Sequence, residues 1–174
     1  MMSLNINANE DIEIRLLKLT DLELWKSIRL EALEVMPEVF GGSYEEEKHK
    51  TKVEWESSLT ESDVFGAFMG HELVAVAGFS INKLEKKNHR GLLFSVYAKP
   101  ECRGNNIGSD IIEAVVSHAK NKVVQLHCKV ITNNKAAIEL YKKHGFEIYG
   151  TEPRSLKVNN EYYDQHLMVM RIDT

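Results

Sequence analysis

Ile12, Ile14 and Leu16 alternate with Glu13 and Arg15, a period of two that predicts a strand over residues 12–18. Thr20-Asp21-Leu22-Glu23 carries the residues of a capping box and predicts a helix reaching about Val35. Gly41-Gly42 interrupts the chain, and Ser43-Tyr44-Glu45-Glu46 repeats the capping pattern ahead of a second helix to about Leu59. Residues 64–69 and 73–82 read as two strands joined by a tight hairpin at Gly70-His71, and 91–98 as another strand. Beyond a loop at 99–106, Ile107, Ile111, Ile112, Val115, Val116 and Ala119 fall on one helical face. A strand over 123–131 precedes a helix over 134–144 with Gly145 just past its end. Strands over 146–151 and 161–171 close the chain, and the polar, irregular stretch 151–161 between them predicts a lid. This order, β-α-α-β-β-β-α-β-α-β-β, implies an α/β (α+β) architecture: a mixed, twisted sheet with helices on both faces.

The chain has 174 residues, enough for one domain with a sizeable core. We expect a short disordered lead-in at 1–11 and a single domain over 12–174. Hydrophobic residues are 43% and charged residues 28%, the balance of an ordinary globule. The net charge of -4 argues against nucleic acid as the main partner, which calls for a basic face. No apolar run approaches the roughly 20 residues of a membrane helix, and the N-terminus has no apolar signal core. Cys102 and Cys128 form no C-x-x-C pair, so no metal or redox motif is indicated and a cytoplasmic, reducing setting is expected.

Arg103-Gly104-Asn105-Asn106-Ile107-Gly108 joins a strand to the amphipathic helix. Free N–H groups and the dipole at a helix start attract anions, and glycines let a ligand approach the backbone. Read alone, the loop is more readily a tight packing turn. In its context, the run Ser95-Val96-Tyr97-Ala98-Lys99-Pro100-Glu101-Cys102-Arg103-Gly104-Asn105-Asn106-Ile107-Gly108 resembles the acyl-CoA signature of the GCN5-related N-acetyltransferase (GNAT) family, [Q/R]-x-x-G-x-[G/A]. Asn106 stands where the middle glycine is usual, and Asn accepts left-handed backbone angles better than most residues. Downstream, Asn134-Lys135-Ala136-Ala137-Ile138-Glu139-Leu140-Tyr141-Lys142-Lys143-His144-Gly145-Phe146 resembles the family's second hallmark, N-x-x-A-x-x-L-Y-x-x-x-G-F. Two motifs in the right order are far more specific than either alone.

The resemblance implies a GNAT-like, mostly antiparallel sheet of about seven strands with a splayed central pair. It also implies a transfer of an acetyl group from acetyl-CoA, as cosubstrate and without a metal, by direct attack of a primary amine. By position, Val96, Tyr97 and Ala98 pair their backbone with the pantetheine arm, and Arg103, Gly104, Asn105, Asn106, Ile107, Gly108 and Ser109 hold the pyrophosphate. Asn134 bonds the donor's arm, and Tyr141 protonates the leaving thiolate. A lysine-like amine, with a pKa near 10.4, needs about 4.6 kcal/mol to lose its proton at neutral pH, and an α-amine near 8 about 1.4 kcal/mol. The base is open: Glu46, Glu47, His89 and His127 are candidates, and Lys129 stands where relatives acting on protein N-termini place a Glu. The acceptor should sit against residues 30–50 and 152–166. We expect a small-molecule amine, with a peptide acceptor or a non-catalytic acyl-CoA-binding module as alternatives. A monomer and a homodimer are both compatible, and neither nucleic acid nor membrane is an expected partner.

Overall fold

The computed structural model describes residues 11–173, so all of the expected lead-in except Asp11 lies outside the described residues. Among the described residues seven strands form one sheet: β1 (Ile12–Leu16), β2 (Asp63–Met69), β3 (Glu72–Ile81), β4 (Arg90–Ala98), β5 (Gln125–Ile131), β6 (Glu147–Val158) and β7 (Glu161–Arg171). Their spatial order is β1-β2-β3-β4-β5-β7-β6. Every pairing is antiparallel except that of β4 with β5.

Helices cover both faces, as the alternation of elements implies. On one face lie α4 (Ile107–Ala119) and α5 (Lys135–Lys143). There Ile111, Ile112 and Val115 pack with Phe79, Leu93, Leu126 and Met168. On the other face lie α1 (Leu22–Val35), the one-turn α2 (Tyr44–Glu47) and α3 (Lys52–Thr60). Trp25, Ile28, Leu33 and Trp55 pack there against Val64, Leu73, Val76 and Tyr97. The run Leu73 to Phe79 sits between the two layers and is apolar throughout because both sides of β3 are covered.

Three expectations are corrected. Thr20 does not cap α1; the Asp21 carboxylate instead accepts bonds from the Arg15 guanidinium at 2.8 and 2.9 Å and from the Lys18 amide at 2.8 Å. The helix expected over 43–59 is two helices. Ser43 caps the first, and Thr51 starts the second with a full capping box to Glu54, so a second cap ends one helix and begins another. The stretch 151–161 is not an irregular lid. β6 continues to Val158 through a bulge in which residues 153–155 face Asp164 alone, and Asn159-Asn160 makes the hairpin turn at φ 49° and 66°. β7 lies inside the sheet, paired to β5 on one edge and β6 on the other. Among the described residues no helix is long and apolar enough to cross a membrane.

Ile111 is fully buried between α4 and the sheet. Ile111→Ala should lower the unfolding free energy by about 2–5 kcal/mol, read as a shifted urea midpoint at unchanged slope.

Candidate functional site

Strands β4 and β5 pair only from Arg90–Gln125 to Leu92–His127 and then diverge. The opening is a cleft of about 440 Å³. β4 lines it with Val96, Tyr97 and Ala98, β5 with Lys129 and Val130, and the two helices on that face close its sides with Ile107, Gly108, Ala137 and Tyr141. Met36 and Val39, from the segment after α1, reach it from the opposite layer. Of the twelve positions singled out in the sequence, eleven line this cleft; Asn105 is exposed and does not.

The loop ahead of α4 is held by two left-handed residues, Gly104 at φ 87° and Asn106 at φ 59°. Asn106 is the N-cap, so the position where the motif usually has glycine does need glycine-like angles. A Cβ on Gly108 would meet only Leu140 Cδ2, at 3.6 Å, leaving the backbone at the helix start open to the cleft. Ser109 Oγ lies 2.9 Å from His144 Nε2, tying α4 to the end of α5. Arg103 folds back over the cleft: its Nε donates to the Ala98 carbonyl at 3.2 Å and Nη2 touches Met36 Sδ at 3.1 Å.

On β4, Ser95 and Val96 together face Ala77, because Tyr97 pairs with Val76 and Phe94 with Gly78. This is a β-bulge, with Ser95 at φ 52°. Two contacts from α1 bracket it. The Tyr97 hydroxyl donates to Glu31 at 2.9 Å, and Arg29 Nη1 donates to Ser95 Oγ at 3.0 Å. Burial first, then the Glu31 carboxylate, raises the Tyr97 phenol above its ordinary range. Tyr97 therefore gives the cleft its backbone, while its ring belongs to the core under α1.

Asn134 caps α5 by accepting the Ala137 amide at 3.2 Å. Tyr141, one helical face further on, is buried among the core residues, stands edge-on to Phe146 and lines the cleft. Its hydroxyl makes no hydrogen bond to another of the described residues. Burial, and then the nearby Cys128, pushes the phenol above its ordinary range, so it stays protonated at neutral pH.

None of the four base candidates lines the cleft. Glu46 is exposed and bonded to Ser43. Glu47 is buried against Arg29, at 2.7 and 3.1 Å, and Lys50, at 3.2 Å. Burial opposes its charge, but these cations outweigh burial and hold the carboxyl below its usual range. His89 is exposed in the turn before β4. His127 lies at the closed end of the splay between Arg90 and Gln125, its pKa lowered by burial first and by Arg90 next. Sequence reading missed Arg29 and Ser95. A signal existed for Arg29: it occupies the i+4 position of the apolar stripe Trp25, Ile28, Ala32, Leu33.

Residues 25–146 match the model of the Acetyltransferase (GNAT) family, well over half of the chain, and the protein belongs to that family. The L-amino acid N-acetyltransferase AaaT of Escherichia coli is 29% identical over 77 residues, 43% of this chain and 48% of AaaT. The curated relatives match over less than half of their own length. A GNAT-family acetyltransferase from Streptococcus pneumoniae superposes with a TM-score of 0.82 at 22% identity, covering 93% of this chain and 99% of that one. The yncA structure from Salmonella typhimurium, determined with its cofactor acetyl-CoA, has a TM-score of 0.79 at 16% identity over 94% and 95% of the two chains. These structural likenesses establish the fold.

The left-handed cap makes a clear stability prediction. Asn106→Gly should leave the melting temperature unchanged or raised, whereas Asn106→Val, β-branched at positive φ, should destabilise by about 1–2 kcal/mol or more. Equal melting temperatures for the two variants would contradict the observed cap.

Proposed function

We propose that the protein is an N-acetyltransferase that moves an acetyl group from acetyl-CoA to the primary amine of a small, amino-acid-like molecule. The observation that carries this reading is the cleft itself: an unpaired edge of β4 faces the start of α4 and the phenol of Tyr141 across one opening. In this reading the pantetheine arm lies along Val96, Tyr97 and Ala98 as an added strand. The pyrophosphate rests on the loop and first turn of α4, from Gly104 to Ser109, where N–H groups and the helix dipole converge and Arg103 can swing in. Asn105, outside the lining, contributes through the shape of that loop. The Asn134 amide, whose oxygen is taken by the cap, has its NH₂ left for the arm.

The amine attacks the thioester carbonyl directly. Charge grows on the carbonyl oxygen, which peptide N–H groups at the Val96 bulge stabilise. As the C–S bond breaks, Tyr141 gives its proton to the thiolate. A phenol that remains protonated is in the state this step needs. With no carboxylate in the cleft lining, the amine's proton leaves through water, which is least demanding for an amine of low pKa. The name of the AaaT relative supports the amino-acid-like acceptor. A cation on the acceptor side, Lys129, paired at 2.7 Å to Glu152 and half exposed, supports an acceptor bearing a carboxylate. An exposed pair of this kind holds little energy and can exchange partners.

Calorimetry should show micromolar binding of acetyl-CoA and of CoA, abolished by Gly108→Trp, whose side chain would fill the start of the helix. Absence of binding at near-millimolar ligand would overturn the reading. Tyr141→Phe should keep that affinity within a factor of about three and lose about 10²–10⁴ in kcat, the ordinary yield of general acid catalysis. A pure acyl-CoA-binding module would show no turnover in either form. Because the Tyr141 phenol titrates above its ordinary value near 10, its deprotonation should not depress turnover below about pH 9.5. A basic limb below about pH 9 that vanishes in Tyr141→Phe would contradict the assignment. Lys129→Glu should weaken acetylation of carboxylate-bearing amines at least tenfold relative to the matching amines without the carboxylate. An unchanged ratio would remove Lys129 from acceptor recognition.

A further inference from the structure

The interaction under the bulge has features that ordinary core packing does not require. Ser95 holds a left-handed backbone, φ 52°, at a place in a bulge where glycine is the usual residue. A non-glycine residue there is strained and persists only where its surroundings hold it. Its hydroxyl accepts a bond from Arg29 Nη1 at 3.0 Å. The same guanidinium is locked by a two-point fork to Glu47, at 2.7 and 3.1 Å, and lies 5.2 Å from the centre of the Phe40 ring. Both charged side chains are nearly buried, 12% and 9% exposed. Gly42 is part of the arrangement: a Cβ there would run into the Glu47 carboxylate. The charged pair thus joins α1, the glycine segment before α2, and the one irregular residue of the strand beside the cleft.

We propose that Arg29 is a positioning residue for acetyl transfer. Fixed by Glu47, it holds Ser95 in the left-handed bulge, so that the peptide groups at Val96 face the acetyl carbonyl. This rests on the acetyltransferase reading above. Two constraints fix the geometry. Ser95 and Tyr97 are each tied to α1, through Arg29 and Glu31, while Val96 between them packs toward the opposite layer and lines the cleft. Arg29 never touches the donor; it acts through the shape of β4. Lysine cannot replace it, because a single ammonium cannot fork onto a carboxylate and also reach Ser95 in the same plane.

The test compares acetyl-CoA with CoA, which differ only in the acetyl group, by calorimetry on the full chain. Wild type should bind acetyl-CoA about threefold to tenfold more tightly than CoA, the yield of one net hydrogen bond to the carbonyl. Ser95→Ala and Arg29→Lys should bring that ratio to one with CoA affinity unchanged. Ser95→Gly should recover most of it, because glycine adopts the left-handed turn without help from Arg29. With an amine that wild type acetylates, kcat should fall about 10–100-fold in Ser95→Ala, less in Ser95→Gly, at constant CoA affinity. A ratio of one in wild type, a ratio unmoved in Ser95→Ala, or CoA affinity that falls together with the ratio would each overturn the proposal. Should Arg29→Lys fail to fold, the two Ser95 variants decide the matter alone. Failure of the acetyltransferase reading is separately visible, as wild type that binds neither ligand.

Discussion

Parallel strands gain their stability from a continuous ladder, and β4 and β5 give up that ladder after three register positions. Everything at the cleft follows from this interruption. Backbone donors and acceptors left without a partner are costly away from water, so an edge of this kind needs solvent or a ligand strand along it. The rest of the sheet secures the divergence from outside. β3 is buried on both faces and holds the far edge of β4, while β7 holds the far edge of β5 along all of its seven residues. α4 and α5 then sit on one face of the gap, with the start of α4 and the side of α5 toward it. An extended, anionic ligand with a polar amide arm is complementary to that combination of an unpaired strand edge and a helix N-terminus.

The parts of this arrangement legible in the sequence are those encoded by period and by local backbone need. The apolar stripe from Ile107 to Ala119 has one helical reading, and the turn at Gly70-His71 has one hairpin reading. Asn106 could be recognised as a left-handed position because few other side chains tolerate it, and its φ of 59° bears this out. The second break, at residues 48–51, was hidden because Ser43 and Thr51 are both good caps, and which of them starts a long helix depends on Trp55 turning into the core. The 151–161 stretch looked irregular because a three-residue bulge erases the alternation by which strands are recognised, and only pairing with β7 restores it. The placement of individual residues at the cleft was legible only through the two motifs, since buried Tyr141, taken alone, packs as any core aromatic would.

Charge is distributed unevenly around the gap in a way no composition figure conveys. The chain is acidic overall, yet the cleft lining carries Arg103, Lys129 and Lys143 and no carboxylate. Glu31 is bonded to Tyr97, Glu47 to Arg29, and Glu152 to the cleft-lining Lys129 from outside the lining. A net negative surface is therefore compatible with a locally cationic opening, since interactions beyond about 8–10 Å are screened at physiological salt. Glu46, Glu47, His89 and His127 all lie outside the cleft lining. Glu47 is the instructive case, because its burial and its cations make it a carboxylate that stays ionised and fixed, the properties of a structural anchor.

Two non-glycine residues in left-handed geometry flank the cleft, Asn106 at the helix start and Ser95 on the strand. Their positions are secured by different means. Asn106 is tolerated by its own chemistry, as a short polar side chain exposed at the surface. Ser95 has no such intrinsic tolerance and is held by a partner, which is itself held by a buried carboxylate. A glycine at 95 would relieve the strain but leave the bulge free to relax, whereas serine with Arg29 fixes one geometry. Strain of this size persists only where surrounding structure over-determines it. Here the over-determination comes from α1 and α2, the layer opposite α4 and α5. The strand edge beside the cleft is thus shaped from the layer of α1 and α2, so both layers of the fold meet in its geometry.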